Sequence, residues 1–422
     1  MKNVIFFLLF NGIVFAQHSW PLVDVDDNMD VPVEKINSNL GDFRHTLPYP
    51  PRFHLGIDIQ APPPDSGAAR IYPVFTSIVT ASPYTNPSLN GAVILELVDV
   101  DDDGNIFPFN EYGFYEHLVN FNPELMDLLP EEVIGPVSTI YAFWLADGNT
   151  LELNHLHFNH ITDLNYTPTD PNDDRVLNPF DMGWDDFAAR DITPPILHNL
   201  HAELTNGAIM EALNYPGADS TRFFPNDTVS NFYRISYADT GEIMPPEIPR
   251  VLIRNIGPSS SLNLILQATD KWNDTGLTPH EIQVYLDQNS SRQGDSPYYS
   301  VEFDEIHNTG NPNSRPNANI VYNNSSPLAT KASTLKQYYR LYSLPSITDR
   351  VPTQIVNDSL NIDSGDYSEE GMHRIEIILK SESVNTDATN PQQTTTGVLY
   401  FYLLKNNGGG DNSYLDLAQS SP

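Results

Sequence analysis

The sequence predicts a mostly β protein. Three observations support this fold class: short apolar runs of strand length recur along the chain, Gly, Pro and Asn residues separate them, and helical periodicity is scarce. With 422 residues, the chain is long enough for two or three domains.

The first residues, MKNVIFFLLFNGIVFAQ, have the pattern of a secretory signal peptide. Lys2 precedes an apolar run, and Val14 and Ala16 are the residues expected before a cleavage site. A short membrane anchor is the alternative, but the run is shorter than the ~18 residues that span a bilayer, and no later stretch is long enough. We therefore expect residues 1–16 to be removed and the protein to be secreted or periplasmic, without stable membrane insertion.

Charge and cysteine content exclude several classes of function. The net charge of −34 disfavours nucleic acid and anionic lipid as partners, because both bind clustered Lys and Arg. The chain has no cysteine, which rules out disulfides, thiolate catalysis and Cys-ligated zinc. Secretion without cysteine is more typical of a bacterial envelope than of a eukaryotic exterior.

Residues 17–190 begin with a polar, acidic lead-in and continue with strand-length runs. These predicted strands are FHLGIDI, YPVFTSIVTA, GAVILELVDV, STIYAFWLA and LELNHLHFNHI. The segment NPELMDLLPEEV, residues 122–133, predicts a helix, with Asn122 as N-cap and Pro123 in the first turn.

Paired prolines in RDITPPILHNL mark a boundary near residue 190. In the following part, alternation of Ile282, Val284 and Leu286 with Gln283, Tyr285 and Asp287 indicates one buried face per strand. We predict a β-sandwich over residues 191–405 and a flexible tail over 406–422. The segment HAELTNGAIMEALNYPGADS fits either a short helix or an irregular insertion. The predicted strands are PRVLIRN, LNLILQATD, EIQVYLD, YYSVEFDEI, HRIEIIL and GVLYFYLL.

Histidine spacing in LELNHLHFNHI raises the question of metal binding. Alternate side chains of a strand point to opposite faces, so His155 and His157 share one face while His160 points away from them. This parity predicts that His155 and His157 act together and that His160 takes no part in the site.

A second cluster, FHLGIDI, places His54 and Asp58 at equal strand parity. Gly56 lies between them and leaves room for the two side chains to converge. A histidine, a carboxylate and a further histidine form a three-ligand set that leaves a fourth tetrahedral position open for water, as hydrolytic zinc sites require.

The acidic stretch LVDVDDDGNIFPFNEYG has the opening spacing of a calcium loop, with Asp99, Asp101 and Asp103 as alternate oxygen donors. The twelfth position of such a loop is Asn110, however, and Glu111 comes one residue late. Two interpretations remain open: a structural calcium site, or a solvated acidic hairpin tip.

Five segments between Trp20 and Ile161 carry a shared pattern. In chain order they are NSNLGDFRH with Gly followed by Arg, FHLGIDI with His-x-x-x-Asp, IYPVFTSIVTA, YGFYEHL with Tyr-x-His-Leu, and HLHFNHI. The stretch from Trp20 to Ile161, about a third of the chain, thereby resembles the lysostaphin-type (LytM or M23) metallopeptidases. The segment NPFDMGWDDFAARDITPPI is similar to the exit toward an appended β-domain in secreted members.

The resemblance implies a lysostaphin-type antiparallel β-sheet peptidase domain followed by an Ig-like β-sandwich. It implies that zinc is bound by His54, Asp58 and His157 and that His155 and His117 are the catalytic histidines. The implied substrate is the peptide of bacterial peptidoglycan.

The chain departs from the family pattern near its last motif. Only Gly148 remains of a loop that is usually rich in Gly and Thr, and Asn159 replaces the usual Glu. We expect a secreted zinc metalloendopeptidase. Two alternatives are a catalytically inactive module that binds peptidoglycan or regulates another cell-wall hydrolase, and an adhesin with calcium-stiffened β-domains.

Overall fold

A computed structural model describes the chain over ranges that include most of the predicted strands. Among these residues there is no α-helix, and no helix is long and apolar enough to cross a membrane. The described ranges are 22–23, 36–44, 51–60, 70–71, 73–86, 90–101, 103–118, 133–134, 155–163, 174–182, 194–205, 209–212, 232–236, 251–255, 261–272, 275–287, 296–307, 318, 321–322, 337–341, 353–356, 360–361, 371–381 and 394–405.

The described residues before the predicted boundary near residue 190 form twelve strands and one short 3₁₀ helix, Pro179–Met182. Strands β1 to β12 are, in order, Leu22–Val23, Ile36–Ser38, Phe43–Arg44, Arg52–Phe53, Ile57–Gln60, Arg70–Ile71, Ser77–Asn86, Asn90–Val100, Ile106–Leu118, Val133–Ile134, His155–Asp163 and Asp174–Leu177.

The described residues after that boundary are also built from strands. Strands β13 to β26 are, in order, Ile196–Thr205, Ile209–Ala212, Phe232–Ser236, Val251–Asn255, Ser261–Trp272, Thr275–Leu277, Glu281–Leu286, Tyr299–Glu302, Glu305–His307, Gln337–Arg340, Thr353–Val356, Leu360–Asn361, Gly371–Lys380 and Thr394–Lys405.

The mostly β class is confirmed, and the strands form several antiparallel sheets. The sheet that carries the candidate site has nine strands: the path runs β10-β7-β8-β9-β11-β12-β21, β5 pairs with β11, and β2 pairs with β5. A seven-stranded sheet has the order β14-β16-β26-β25-β19-β20-β23. A six-stranded sheet runs β15-β13-β17-β18, with β22 and β24 also paired to β17. Among the described strand pairs, β16 with β26 is the parallel one.

One buried apolar cluster contains residues from both sides of residue 190. Phe53 and Leu55, next to a candidate ligand, belong to the same cluster as Phe303 and Tyr322. Strand β21, from the second part of the chain, pairs with β12 in the nine-stranded sheet. The division into 17–190 and 191–405 stays a prediction, but the two parts share a core.

Alternation in β19 is partly as predicted. Ile282, Val284 and Leu286 all lie in the buried cluster, and Asp287 is exposed. Tyr285 on the opposite face is nevertheless buried, and its hydroxyl donates a hydrogen bond to Gln283 Oε1 at 3.2 Å. The inference of a single buried face was therefore wrong for this strand, because its second face is also covered.

Other predictions met different outcomes. The undecided segment HAELTNGAIMEALNYPGADS contains the end of β13 and all of β14 where it is described. FHLGIDI is not one strand, because it is divided between β4 and β5 with residues 54–56 outside both. The predicted helix lies outside the described residues except for Val133, which begins β10. The signal peptide 1–16, the run STIYAFWLA, the loop with Gly148 and the tail 406–422 also lie outside them.

Candidate metal centre

Two adjacent strands place a carboxylate and an imidazole opposite each other. Strands β5 and β11 are antiparallel, and their register pairs Asp58 with His157. Directly opposite residues in such a pair send their side chains to the same face, with Cβ atoms about 5 Å apart. His157 Nδ1 accordingly lies 2.7 Å from Asp58 Oδ1.

His54 reaches the same point from the segment between β4 and β5. Its Nδ1–H donates to the carbonyl of Asn39 at 2.9 Å, so in the neutral imidazole Nε2 is the nitrogen without a proton. That Nε2 lies 3.1 Å from Asp58 Oδ1 and 3.1 Å from His157 Nδ1.

Gly56 has a role that differs from the one strand parity suggested. Since His54 is not in the same strand as Asp58, equal parity is not what brings them together. A Cβ at Gly56 would lie 2.0 Å from Asn159 Oδ1 and 2.5 Å from the Phe158 carbonyl oxygen. Glycine is needed here because the backbone packs closely on β11, not because a side chain would separate the two ligands.

The donor set and its spacing fit a zinc ion. Among the described residues, His54, Asp58 and His157 form one of two groups whose ligand atoms all lie within 4.8 Å of one another. Bonds of 2.0 to 2.1 Å in a tetrahedral site place ligand atoms roughly 3.3 Å apart. The observed separations of 2.7 to 3.1 Å therefore require only small outward shifts to admit the ion.

The electrostatics favour the protonation states that metal binding requires. Burial alone would raise the pKa of Asp58, but the imidazoles of His54 and His157 hold it well below its ordinary value of 3.8. Burial lowers the pKa of His54 from 6.5 to about 4; Asp58 opposes this shift and Arg44 adds to it. At neutral pH the site therefore contains an anionic carboxylate and a neutral His54 imidazole, as coordination demands.

The structure also brings the two predicted catalytic histidines to this point. His155 Nε2 lies 3.5 Å from Asp58 Oδ1. The His117 ring centroid is 4.8 Å from that of His155 and 6.1 Å from that of His157. His117 has φ of +67°, an uncommon backbone conformation for a residue other than glycine. All five predicted site residues thus converge.

His160 lies apart from them on the other face of β11. Its Nε2 is 2.9 Å from Glu111 Oε2, and only 8% of its side chain is exposed. This pairing with Glu111 agrees with the parity argument, which predicted that His160 lies outside the site.

Sequence reasoning missed two contributors. Arg44 Nη2 forms an ion pair with Asp58 Oδ2, on the opposite side of the carboxylate from the imidazoles. The motif NSNLGDFRH contains this arginine but does not by itself indicate a role for it. Asn39 contributes its main-chain carbonyl, a group that every residue has, so the residue type gives no sign of this role.

The acidic loop forms the tip of the β8–β9 hairpin. Asp101 Oδ1 accepts hydrogen bonds from the backbone N–H groups of Asp103 at 3.0 Å and Asn105 at 2.8 Å, and its Oδ2 accepts one from Asn105 Nδ2 at 2.7 Å. Neither metal-competent group in the described part of the chain includes Asp99, Asp101 or Asp103. The geometry agrees with a solvated hairpin tip, and calcium there stays a prediction.

The second metal-competent group was not anticipated. It consists of His280, Glu302 and Asp304, with His280 Nε2 3.2 Å from Asp304 Oδ1. No ligand spacing is visible around His280 in the sequence, because Glu302 and Asp304 reach it only through the pairing of β19 with β20. Both carboxylate side chains are well exposed, at 39% and 43%, whereas no side chain of the first group is more than 13% exposed.

Comparison with known proteins gave no relative. No protein-family model, no curated protein and no solved structure matches this chain.

Proposed function

We propose that this protein is a secreted zinc metalloendopeptidase that hydrolyses peptide bonds of bacterial peptidoglycan. In this proposal a lysostaphin-type antiparallel sheet carries the site and a β-sandwich follows it. The observation that supports it is the convergence of His54 Nε2, Asp58 Oδ1 and His157 Nδ1 at mutual distances of 2.7 to 3.1 Å. Two neutral imidazoles and one carboxylate are a donor set of hydrolytic zinc sites.

The protein side chains have distinct tasks in this reaction. Zinc held by the three ligands would supply a Lewis acid that activates water and polarises the scissile carbonyl. His155 takes up the proton of the attacking water, and a well-placed general base contributes about 10²–10⁴ in rate. His117 donates a hydrogen bond to the oxygen on which negative charge develops. The Asn39 carbonyl keeps the proton of His54 on Nδ1, so that Nε2 would be the atom that holds the metal.

Metal analysis combined with digestion of cell-wall sacculi tests this proposal. Purified wild-type protein should contain about one zinc per chain and should release peptides from sacculi. His157→Ala should lose both. His160→Ala is the matched control, since it removes a buried imidazole of the same strand that pairs with Glu111 instead. Wild-type protein that takes up no zinc at micromolar concentrations would contradict the proposal.

A catalytically inactive module that binds peptidoglycan or regulates another hydrolase is the second candidate. Arg44 favours it, because its guanidinium pairs with Asp58 and adds positive charge where a cation must bind. Sacculus binding that is unaffected by His157→Ala, with no bond cleaved, would support this candidate.

A further inference from the structure

The carbonyl that orients His54 belongs to a tight turn at residues 38–42, called here the support turn. Asn39 O accepts the His54 Nδ1 hydrogen bond at 2.9 Å. The two backbones are also tied together: Gly41 N–H donates to His54 O at 2.9 Å, and His54 N–H donates to Asp42 O at 2.7 Å. The position of the ligand imidazole therefore follows the position of the support turn.

Asp42 holds the support turn together from inside. Its Oδ2 accepts hydrogen bonds from Ser38 Oγ at 2.7 Å and from Asn39 N at 3.1 Å. Its Oδ1 accepts the backbone N–H of Thr278 at 2.9 Å. A single buried carboxylate thus links the turn to a residue that is distant in sequence.

Thr278, between β18 and β19, directs all of its polar groups to this region. Besides its N–H bond to Asp42, its carbonyl accepts Asn39 Nδ2 at 2.9 Å. Its hydroxyl lies 2.7 Å from the hydroxyl of Tyr322, which in turn donates to Gly41 O at 2.7 Å. Thr278 and Tyr322 are both fully buried, so these hydrogen bonds do not compete with solvent.

Aromatic packing fixes the same turn from the other side. Gly41 has φ of +88°, and a Cβ there would lie 2.2 Å from the Phe303 ring. Phe53, adjacent to His54, packs against the rings of Phe303 and Tyr322 at centroid distances of 6.4 and 6.0 Å. The second half of the chain therefore contacts both the support turn and the residue next to the ligand.

We propose that Thr278 and Tyr322 are positioning residues for the metal ligand His54, acting through Asp42 and the support turn. The part of the chain beyond residue 190 is then a structural component of the metal centre. This inference rests on the proposed function, because it concerns the same zinc site. It adds that zinc affinity depends on residues that contact neither the metal nor its ligands.

Full-length variants test the inference by metal binding. Asp42→Asn keeps the shape of the side chain but puts an amide in place of one acceptor, and Tyr322→Phe removes only the hydroxyl that joins Thr278 to Gly41. Loss of partners that orient a ligand typically lowers metal affinity about 10- to 100-fold. We expect at least the lower figure for Asp42→Asn and a smaller, measurable loss for Tyr322→Phe.

Tyr338→Phe is the matched control. It removes another buried tyrosine hydroxyl of the second half, one that accepts a hydrogen bond from Gln267 Nε2 at 3.0 Å. Zinc affinity is measured by competition with a chromogenic chelator. The visible absorption of the cobalt-substituted protein reports ligand geometry, and circular dichroism reports folding.

The expected result is weaker zinc binding and a changed cobalt spectrum in folded Tyr322→Phe and Asp42→Asn, with wild-type behaviour in Tyr338→Phe. If Asp42→Asn fails to fold, Tyr322→Phe decides. Wild-type affinity and spectrum in folded Tyr322→Phe, or an equal loss in Tyr338→Phe, would overturn the inference and leave the proposed function intact. Wild-type protein that binds no zinc would overturn both.

Discussion

Gly56 lies in the chain between the candidate ligands His54 and Asp58, and Gly56→Ala should cause a severe steric clash there. The new Cβ would lie 2.0 Å from Asn159 Oδ1 and 2.5 Å from the Phe158 carbonyl oxygen, and Gly56 has φ of +152°. The side-chain amide can rotate away, but the carbonyl belongs to β11 and cannot move without disturbing His157. Overpacking costs about 1–3 kcal/mol and an unfavourable backbone conformation about 1–3 kcal/mol, so together they predict a loss of roughly 2–6 kcal/mol in the free energy of unfolding.

Gly104→Ala is the control, because Gly104 has φ of +81° but nothing lies within 4 Å of a Cβ there. Only the backbone term applies, about 1 kcal/mol. Urea denaturation of the metal-free proteins measures both changes. In an Asn159→Ala background the cost of Gly56→Ala should fall but not vanish, since the contact with the Phe158 carbonyl persists. An effect of Gly56→Ala no larger than that of Gly104→Ala would refute the argument from close packing.

Three further predictions concern charge and metal. First, the stability of the metal-free protein should fall as the pH drops from 6.5 to about 4, because in this window unfolded His54 binds a proton that the folded state excludes; His54→Gln should flatten this part of a urea-denaturation pH series, and an unchanged slope would contradict the assignment. Second, Arg44→Met should raise the pKa of the metal-free His54 imidazole, because the guanidinium lowers it; NMR titration measures this, and an unchanged or lower value would argue against the contact. Third, Asp101→Ala should lower the melting temperature equally with calcium and with chelator, because its carboxylate accepts the hydrogen bonds that hold the hairpin tip together; a melting temperature of the wild type that rises with calcium would instead support a calcium site there.

The sequence predicted best those features that depend on one strand. His155, His157 and His160 could be sorted because β11 is unbroken and strand parity then decides which side chains share a face. Strand parity also predicted that His54 and Asp58 lie close together. That prediction was right but its reason was wrong, because residues 54–56 lie between β4 and β5 and not within one strand.

Features that depend on distant parts of the chain could not be predicted. The Asn39 carbonyl, the ion pair of Arg44 and the buried contact with Thr278 arise from tertiary packing, which leaves no periodicity in the sequence. The shared core of Phe53 and Phe303 has the same origin. Paired prolines near residue 190 indicated a change of character along the chain, but they carry no information about which surfaces meet.

Mass spectrometry of peptides released from purified sacculi tests the central claim most directly. Zinc-loaded wild-type protein should generate new peptide termini, His160→Ala should do the same, and His157→Ala should generate none. Absence of new termini with a wild-type protein that demonstrably holds zinc, or equal release by His157→Ala, would contradict the account of a zinc-dependent peptidoglycan endopeptidase.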